Sequence, residues 1–372
     1  MLSFASELAI WALAAVLGVV TLLPLSTSRA WWVRICDFPR LHAAGGLLLL
    51  APLALLLPWP ASLAVASLAL AGFVYQASWI FPFTPLARKE ARFAPDAADG
   101  VTFLAINVLE ENRRHDLVRD LIAAVDPDVL LLMETDPVWT EAMAPVLARY
   151  STIVRDPRDD YYGMLFATRL EASEAKVLRL THDETPTLFA ALRAPSGQPF
   201  TFVGLHPQPP TPDGADTDER DAQIVYAARF ARETDVPLVT MGDFNEAAWS
   251  KGAVEFKRVG GYVDPRVGRG LYASFHAQHM MIRCPIDQIY VTADVAVVSI
   301  SLGPRVGSDH YPMIARLRFD AALAAQLNAP PPPLDQVEID RLDEVVVAYR
   351  RRLDAAQLAA AVEPETEARS AG

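Results

Sequence analysis

Hydrophobic and polar positions divide this chain into three unlike stretches. No charged side chain falls between Glu7 and Arg29, and none between Arg40 and Arg88. About 20 apolar residues cross a bilayer core as a helix, so the first stretch predicts a span at about 8–28. The second is too long for one span, and Pro58-Trp59-Pro60 divides it into about 41–57 and 61–81. Trp31, Trp32, Trp59 and Trp79 fall near the predicted ends, as interfacial aromatics do. After a linker at 86–100 the pattern changes. Short apolar runs, each the length of a buried strand, alternate with helical stretches at Asn112 to Val125, Val138 to Ala148, Thr217 to Arg232 and Ser250 to Val259. Thr217 stands where a helix cap would, without a full capping box. Gly163 to Thr168, Val177 to Leu180 and Leu188 to Leu192 read as consecutive strands. The alternation predicts an α/β domain over 101–320, with two mixed sheets face to face and helices outside. Beyond Phe319, Pro330 to Pro333 is a stiff spacer. It leads to an amphipathic helix over Leu334 to Val362, with Val337, Leu342, Val345, Val346, Tyr349 and Leu353 on one face, and to a polar tail expected to be disordered.

Composition sharpens the first stretch. Hydrophobic residues make up 52% of the chain and mean hydropathy is +0.19, with the excess concentrated before residue 85. A cleaved leader needs a basic start; here Glu7 stands instead and a second hydrophobic pair follows, so 1–85 reads as an uncleaved three-span anchor. With three spans, the loop from Arg29 to Arg40 and the large domain share one side. That side holds Arg29, Arg34, Arg40, Arg88, Lys89 and Arg92, whereas the other has neither Lys nor Arg. The positive-inside rule then predicts a multi-pass protein of the inner (plasma) membrane with its large domain in the cytoplasm. Cys36 and Cys284 have no partner at metal-binding spacing, which excludes a zinc finger or a disulfide framework.

Candidate chemistry lies at the ends of the apolar runs. Gly242-Asp243-Phe244-Asn245 follows Val236 to Met241, and Ser308-Asp309-His310 follows Val295 to Leu302 and a short link. Asn107 ends Val101 to Ile106, Glu134 ends Val129 to Met133, His206 ends Phe200 to Leu205, and Asp287 opens the strand Gln288 to Thr292. A lone Asn or Glu at a strand end is ordinarily a turn or surface residue. Six such places in one chain call for another explanation. Carboxylates that can hold a metal beside an imidazole that can move protons point to metal-assisted attack on a phosphoester.

These words, AINV at Asn107, DVLLLMETD at Glu134, VGLHP at His206, MGDFN at Asp243 and Asn245, PIDQIYV at Asp287 and GSDHYP at Asp309 and His310, resemble the endonuclease/exonuclease/phosphatase superfamily over about Val101 to Phe319. The resemblance implies a four-layer sandwich, here preceded by three transmembrane helices, and a membrane-anchored bacterial-type member. It implies that Asn107, Glu134 and Asp309 hold a divalent ion, Mg2+ with Mn2+ as a substitute. In the same pattern Asp287 orients His310 for proton transfer, and Asp243 orients or deprotonates the attacking water. Asn245 and His206 donate hydrogen bonds to the non-bridging oxygens. The other histidines, His42, His115, His182, His276 and His279, read as surface or packing residues.

Charge narrows the substrate. A nuclease normally carries a basic stripe; this chain has net charge −12, and its domain has basic clusters only at Arg113-Arg114 and Arg266 to Arg269. A phosphoester of a lipid headgroup, or a related small one, is therefore the expected substrate, with the bilayer as partner. A membrane-tethered nuclease is the alternative and a catalytically inactive scaffold the third.

Overall fold

The computed structural model describes residues 3–179, 185–212 and 217–340. The chain opens with α1 (Phe4–Leu22), capped by the Ser3 side chain and prolonged by a tight turn to Leu25. A short α2 (Trp31–Arg34), α3 (Arg40–Ala54) and α4 (Ala61–Ile80) follow. Two helical runs, Phe4–Leu25 and Ala61–Phe83, are long and apolar enough to cross a membrane. The middle segment differs from the expected span at 41–57. With 15 residues, α3 rises about 22 Å, against about 30 Å of hydrocarbon. Ahead of Pro58 its chain leaves the helix in tight turns, with Leu55, Leu56 and Leu57 each bonded three residues back.

Arg40, counted by sequence among the basic residues that flank the spans, is not exposed. It is fully buried, donates to Asp37 at 2.6 Å and to Gln76 at 3.0 Å, and lies 4.8 Å from the Trp79 ring centre. A buried cation must be paired, so this cluster ties the turn before α3 to α4. The expected linker at 86–100 runs along the large domain, with Ala94 N–H donating to Val297 O at 2.7 Å.

From Val101 the chain forms β1 (Val101–Asn107), α5 (His115–Val125), β2 (Val129–Met133), α6 (Pro137–Leu147), β3 (Thr152–Asp156) and β4 (Met164–Thr168). Next come β5 (Glu171–Arg179), β6 (Pro186–Arg193), β7 (Pro199–Leu205), α7 (Asp218–Glu233), β8 (Leu238–Asp243), α8 (Lys251–Gly260) and β9 (Tyr262–Val263). β10 (Asp287–Thr292), β11 (Ala296–Leu302), β12 (Met313–Arg318) and α9 (Ala321–Leu327) close the described domain. The strands form two six-stranded mixed sheets, in the orders β11-β12-β1-β2-β4-β3 and β5-β6-β7-β8-β10-β9. Their inner faces share one core, in which Phe103 stacks on Phe202 at 5.7 Å and Phe200 on Phe319 at 3.9 Å. The outer face of the first sheet is covered by α5 and α6, that of the second by α7 and α8. The result is a four-layer sandwich. Thr217 precedes α7 but makes no side-chain cap, because its hydroxyl donates to Arg29 O and contacts Asp221. At the C-terminus a helical segment begins at 336, with Leu334 against the α7/α8 layer; the rest of the expected amphipathic helix and tail, from 341, lies outside the described residues.

The N-terminal helices rest on this sandwich. Trp249, fully buried, donates its indole N–H to Asp37 O at 2.8 Å and meets Phe83 edge-on. Gly268 N–H donates to Pro82 O at 2.8 Å, and Thr217 N–H to Arg29 O at 2.9 Å.

Candidate active site

Strand register brings the six polar places to one edge of both sheets. β1 and β2 run parallel with Asn107 opposite Met133, so Asn107 and Glu134 emerge side by side. β7 and β8 are parallel with Leu205 opposite Gly242, which sets His206 beside Asp243. β10 is antiparallel to β8 with Asp287 opposite Asp243. β12 is antiparallel to β1 with Met313 opposite Ala105, so the preceding Asp309 and His310 return to the same rim. Gly242 makes the close approach possible: at φ 148° a Cβ there would lie 2.0 Å from Leu205 O. Glu134 (φ 61°) and Asn245 (φ 47°) turn off the strands in the left-handed region, a local strain of about 1 kcal/mol or more for a non-glycine residue.

Asn107 Nδ2 donates to Glu134 Oε1 at 2.6 Å and to Asp243 Oδ2 at 3.1 Å, joining the two sheets through one amide. Glu134 Oε2 accepts the Glu110 N–H at 3.3 Å. His310 Nδ1 meets Asp287 Oδ2 at 2.7 Å while its Nε2 lies 3.5 Å from Asp243 Oδ2 and 4.0 Å from Asp309 Oδ1. His206 Nε2 lies 3.9 Å from Glu134 Oε1 and 4.0 Å from Asp243 Oδ2. Asn245 donates its side-chain amide to Pro207 O at 2.9 Å, and its backbone N–H to Asp243 Oδ1 at 2.9 Å.

The two imidazoles are driven apart. Burial pulls the His206 pKa down to about 4, with Asp243 opposing and His310 assisting, so this ring is neutral. Burial also works against charge on His310, but Asp287 and Asp243 outweigh it and lift the ring to about 10. Burial pushes the Glu134 carboxyl up to about 7; Asn107 and His310 hold it back, Asp243 and Asp309 push it further. Burial raises Asp243 as well, against the pull of His310.

Some neighbours carry no strand-end signal. Ser308 donates from its hydroxyl to Asn107 O at 2.8 Å and accepts the His310 N–H at 2.9 Å, locking the loop to β1. Ser274 Oγ accepts the Asp287 N–H at 3.0 Å, and the Phe275 ring lies 5.1 Å from His310. Tyr162 covers His206 at 5.5 Å. A Ser beside an Asp-His pair could have been suspected; Phe275 and Tyr162 arrive from distant loops. Of the remaining histidines, His115 meets Trp139 edge-on at 4.4 Å, His276 meets His279 at 4.3 Å, and His42 donates to Met281 O; His182 lies outside the described residues.

The donor set suits a hard divalent cation. Glu134, Asp243 and Asp309 bring three carboxyls together at a largely enclosed rim, where His310 opposes them among the described residues, and a cation with oxygen ligands relieves their repulsion. Asp243, Asp287 and His310 each offer a ligand atom within 4.8 Å of the others. His310 Nδ1 lies 2.7 Å from Asp287 Oδ2, so this pair can also hold and move a proton. Glu134 and Asp309 bring further carboxylate oxygens to the same rim, and Asn107 Oδ1 accepts the Leu109 N–H at 3.0 Å.

Fold and site together define a metal-dependent phosphoric ester hydrolase. The model of the Endonuclease/Exonuclease/phosphatase family matches residues 104–310. The chain belongs to that family. Among solved structures it is similar to D. rerio TDP2 complexed with single strand DNA product, at 17% identity and TM-score 0.50 over 59% of this chain and 99% of that one. It is also similar to an endonuclease/exonuclease/phosphatase from Bacteroides vulgatus, at 20% identity and TM-score 0.49 over 59% and 99% of the two chains. The human Nocturnin catalytic domain with bound sulfate anion matches at 17% identity and TM-score 0.48 over 62% and 100%. At these identities the likeness speaks for the fold alone. No curated protein matches the chain.

Proposed function

We propose that this chain is a membrane-anchored phosphoesterase that uses Mg2+, or Mn2+ in its place, to hydrolyse the phosphoester of a lipid headgroup or a related small molecule. One observation carries the reading: the apolar helices dock on the loops that hold the site. Trp249, bonded to Asp37 O at 2.8 Å, stands four residues after Asn245, and Ile286, next to Asp287, shares a buried cluster with Ile80 and Phe83. A site built against the membrane-side ends of its anchor reaches headgroups without leaving the bilayer. Because Thr217 N–H donates to Arg29 O and Trp249 to Asp37 O, the loop from Arg29 to Arg40 stays with the sandwich although α3 falls short of a full span, and we read Arg29, Arg34, Arg88, Lys89 and Arg92 as marking the cytoplasmic side of the inner membrane.

Glu134, Asn107 and Asp309 would hold the ion, which supplies Lewis-acid polarisation of the phosphoryl oxygens. Asp243 takes a hydrogen bond from the attacking water and orients it in line with the phosphorus. His310, charged through Asp287, donates a proton or hydrogen bond where negative charge grows at the phosphoryl or leaving oxygen. His206, neutral and buried, and Asn245, with one amide hydrogen beyond its bond to Pro207, donate to non-bridging oxygens.

The alternative is a tethered nuclease, a fold-mate of which, D. rerio TDP2, has been solved with a single strand DNA product. Charge argues against it. Net charge is −12, Arg266 is buried against Asp264 at 2.8 Å, and Arg113 and Arg114 pair with Asp136 and Asp116. Few cations remain to replace the counterions of a polyanion. The test is a panel of sphingomyelin, phosphatidylinositol phosphates and a polyprenyl pyrophosphate offered in vesicles with Mg2+. The reading expects headgroup or phosphate release by the wild type, lost in Glu134→Ala. Release that survives Glu134→Ala or a chelator overturns the mechanism.

A further inference from the structure

The loop between β9 and β10 ends in an apolar tip that nothing described covers. Met280, Met281 and Ile282 are 87%, 78% and 53% exposed. Its stem is pinned by Phe275 N–H to Cys284 O at 3.0 Å and by His276 N–H to Ile282 O at 3.0 Å. The tip is held at two places. His42, in the first turn of α3, donates to the backbone carbonyl of Met281. On the other side the loop closes on the site: Ala277 N–H donates to Asp309 O at 2.5 Å, Gln278 Nε2 to Gly307 O at 3.3 Å, and the Phe275 ring faces His310.

This position selects the occupant. Beyond His42, α3 turns Leu48, Leu49 and Leu53 outward, 51%, 66% and 42% exposed, as a lipid-facing helix does. Around the tip's base the chemistry turns polar and cationic: Arg283 lies 4.7 Å over the Tyr311 ring, and Arg305 Nε donates to Tyr311 Oη at 3.0 Å. Apolar side chains at the depth of a helix's first turn, with Arg and Tyr behind them, match the layering of a bilayer surface with anionic headgroups. A protein groove would give no reason for the tie to α3.

We propose that Met280, Met281 and Ile282 insert into the interfacial layer of the bilayer that holds the anchor, so that the site takes its phosphoester laterally from that leaflet. The proposal rests on the membrane-anchored reading and adds a contact that the anchor alone does not require. Lipid entering beside the tip passes Phe275 and reaches the rim formed by Asp309 and His310. Burying two methionines and an isoleucine in the interfacial layer removes their apolar surface from water and so fixes the loop at the surface.

The test uses the full chain in nanodiscs of phosphatidylcholine and phosphatidylglycerol. Met281→Cys carries an environment-sensitive fluorophore, and Ser173→Cys, exposed on edge strand β5, is the control. The proposal expects blue-shifted emission at 281, quenched at least about two-fold by lipids brominated near the headgroup, and no quenching at 173. Water-like, unquenched emission at 281 in discs that contain the chain overturns it while leaving the anchor intact. A chain that fails to enter discs removes the anchor and this contact with it. Met280→Asp combined with Met281→Asp should raise the KM for a bilayer-borne substrate at least about ten-fold, with kcat little changed. An unchanged KM overturns lateral delivery.

Discussion

Replacing Glu134 by Gln removes one negative charge from the rim and nearly nothing from its shape. Without a cation, burial and the neighbouring Asp243 and Asp309 hold this carboxyl at about 7 rather than 4.5, a displacement worth about 3 kcal/mol. Because the folded value is the higher one, the associated stability is fully present below 4.5 and is lost as the pH rises through about 7. At pH 8 with a chelator the wild type therefore carries the whole cost of an ionised, buried Glu134. Gln keeps an oxygen for Asn107 Nδ2 but loses the acceptor for the Glu110 N–H, a loss of about 1 kcal/mol. The variant should thus be more stable by about 2 kcal/mol at pH 8, or roughly 4–8 °C in Tm. At pH 5 the gain should vanish, since Glu134 is already protonated in the folded wild type. Adding Mg2+ at pH 8 should reverse the order by stabilising only the wild type. Thermal unfolding of both full-length proteins in detergent at the two pH values measures this. Equal gains at both pH values, or equal stabilisation of both proteins by Mg2+, would refute the placement of the cation on Glu134.

Other perturbations read other parts of the account. His310→Ala should slow turnover by about 10² to 10⁴, Asp287→Asn by part of that, and the double variant should be little worse than His310→Ala; multiplicative losses would show that the two act independently. Gly242→Ala forces a Cβ to within 2.0 Å of Leu205 O and should abolish turnover together with cooperative unfolding, whereas a fully active variant would contradict the backbone geometry of β8. Trp249→Ala should cost about 3–5 kcal/mol in chemical unfolding by emptying the junction with Phe83 and Asp37; a loss under about 1 kcal/mol would mean that the N-terminal helices and the sandwich do not stabilise each other. A reporter fused after Asp320 should read as cytoplasmic, and an external signal there would invert the orientation.

The sandwich and its rim were readable in the sequence for a common reason. Each polar word follows a run long enough to be a buried strand, and strand ends in a packed pair of sheets meet at shared edges. Asn107, Glu134, His206, Asp243, Asp287 and His310 could therefore be picked out singly, although their distances come only from register. Contacts between distant loops leave no such periodic trace. The Ser308 bond to Asn107 O, the Phe275 ring beside His310 and the Trp249 bond to Asp37 O span 201, 35 and 212 positions, respectively. Composition misjudged α3 because apolarity continues through Leu55 to Leu57 after the helix has ended. The burial of Arg40 leaves no trace in the sequence either, since Asp37 and Gln76 close around it only when α3 and α4 associate. The exposed tip at Met280 to Ile282 carries no sequence signal of its own, because exposure is decided by where the loop is tied.

The central claim is that this metal-dependent hydrolase works on the membrane that holds it. The most direct measurement places the full chain in vesicles containing the lipid phosphoester panel, adds plasmid DNA and Mg2+ to the same sample, and follows headgroup or phosphate release beside DNA nicking. The account predicts release from lipid that stops with a chelator, with the plasmid intact. Nicked plasmid with untouched lipid would contradict it.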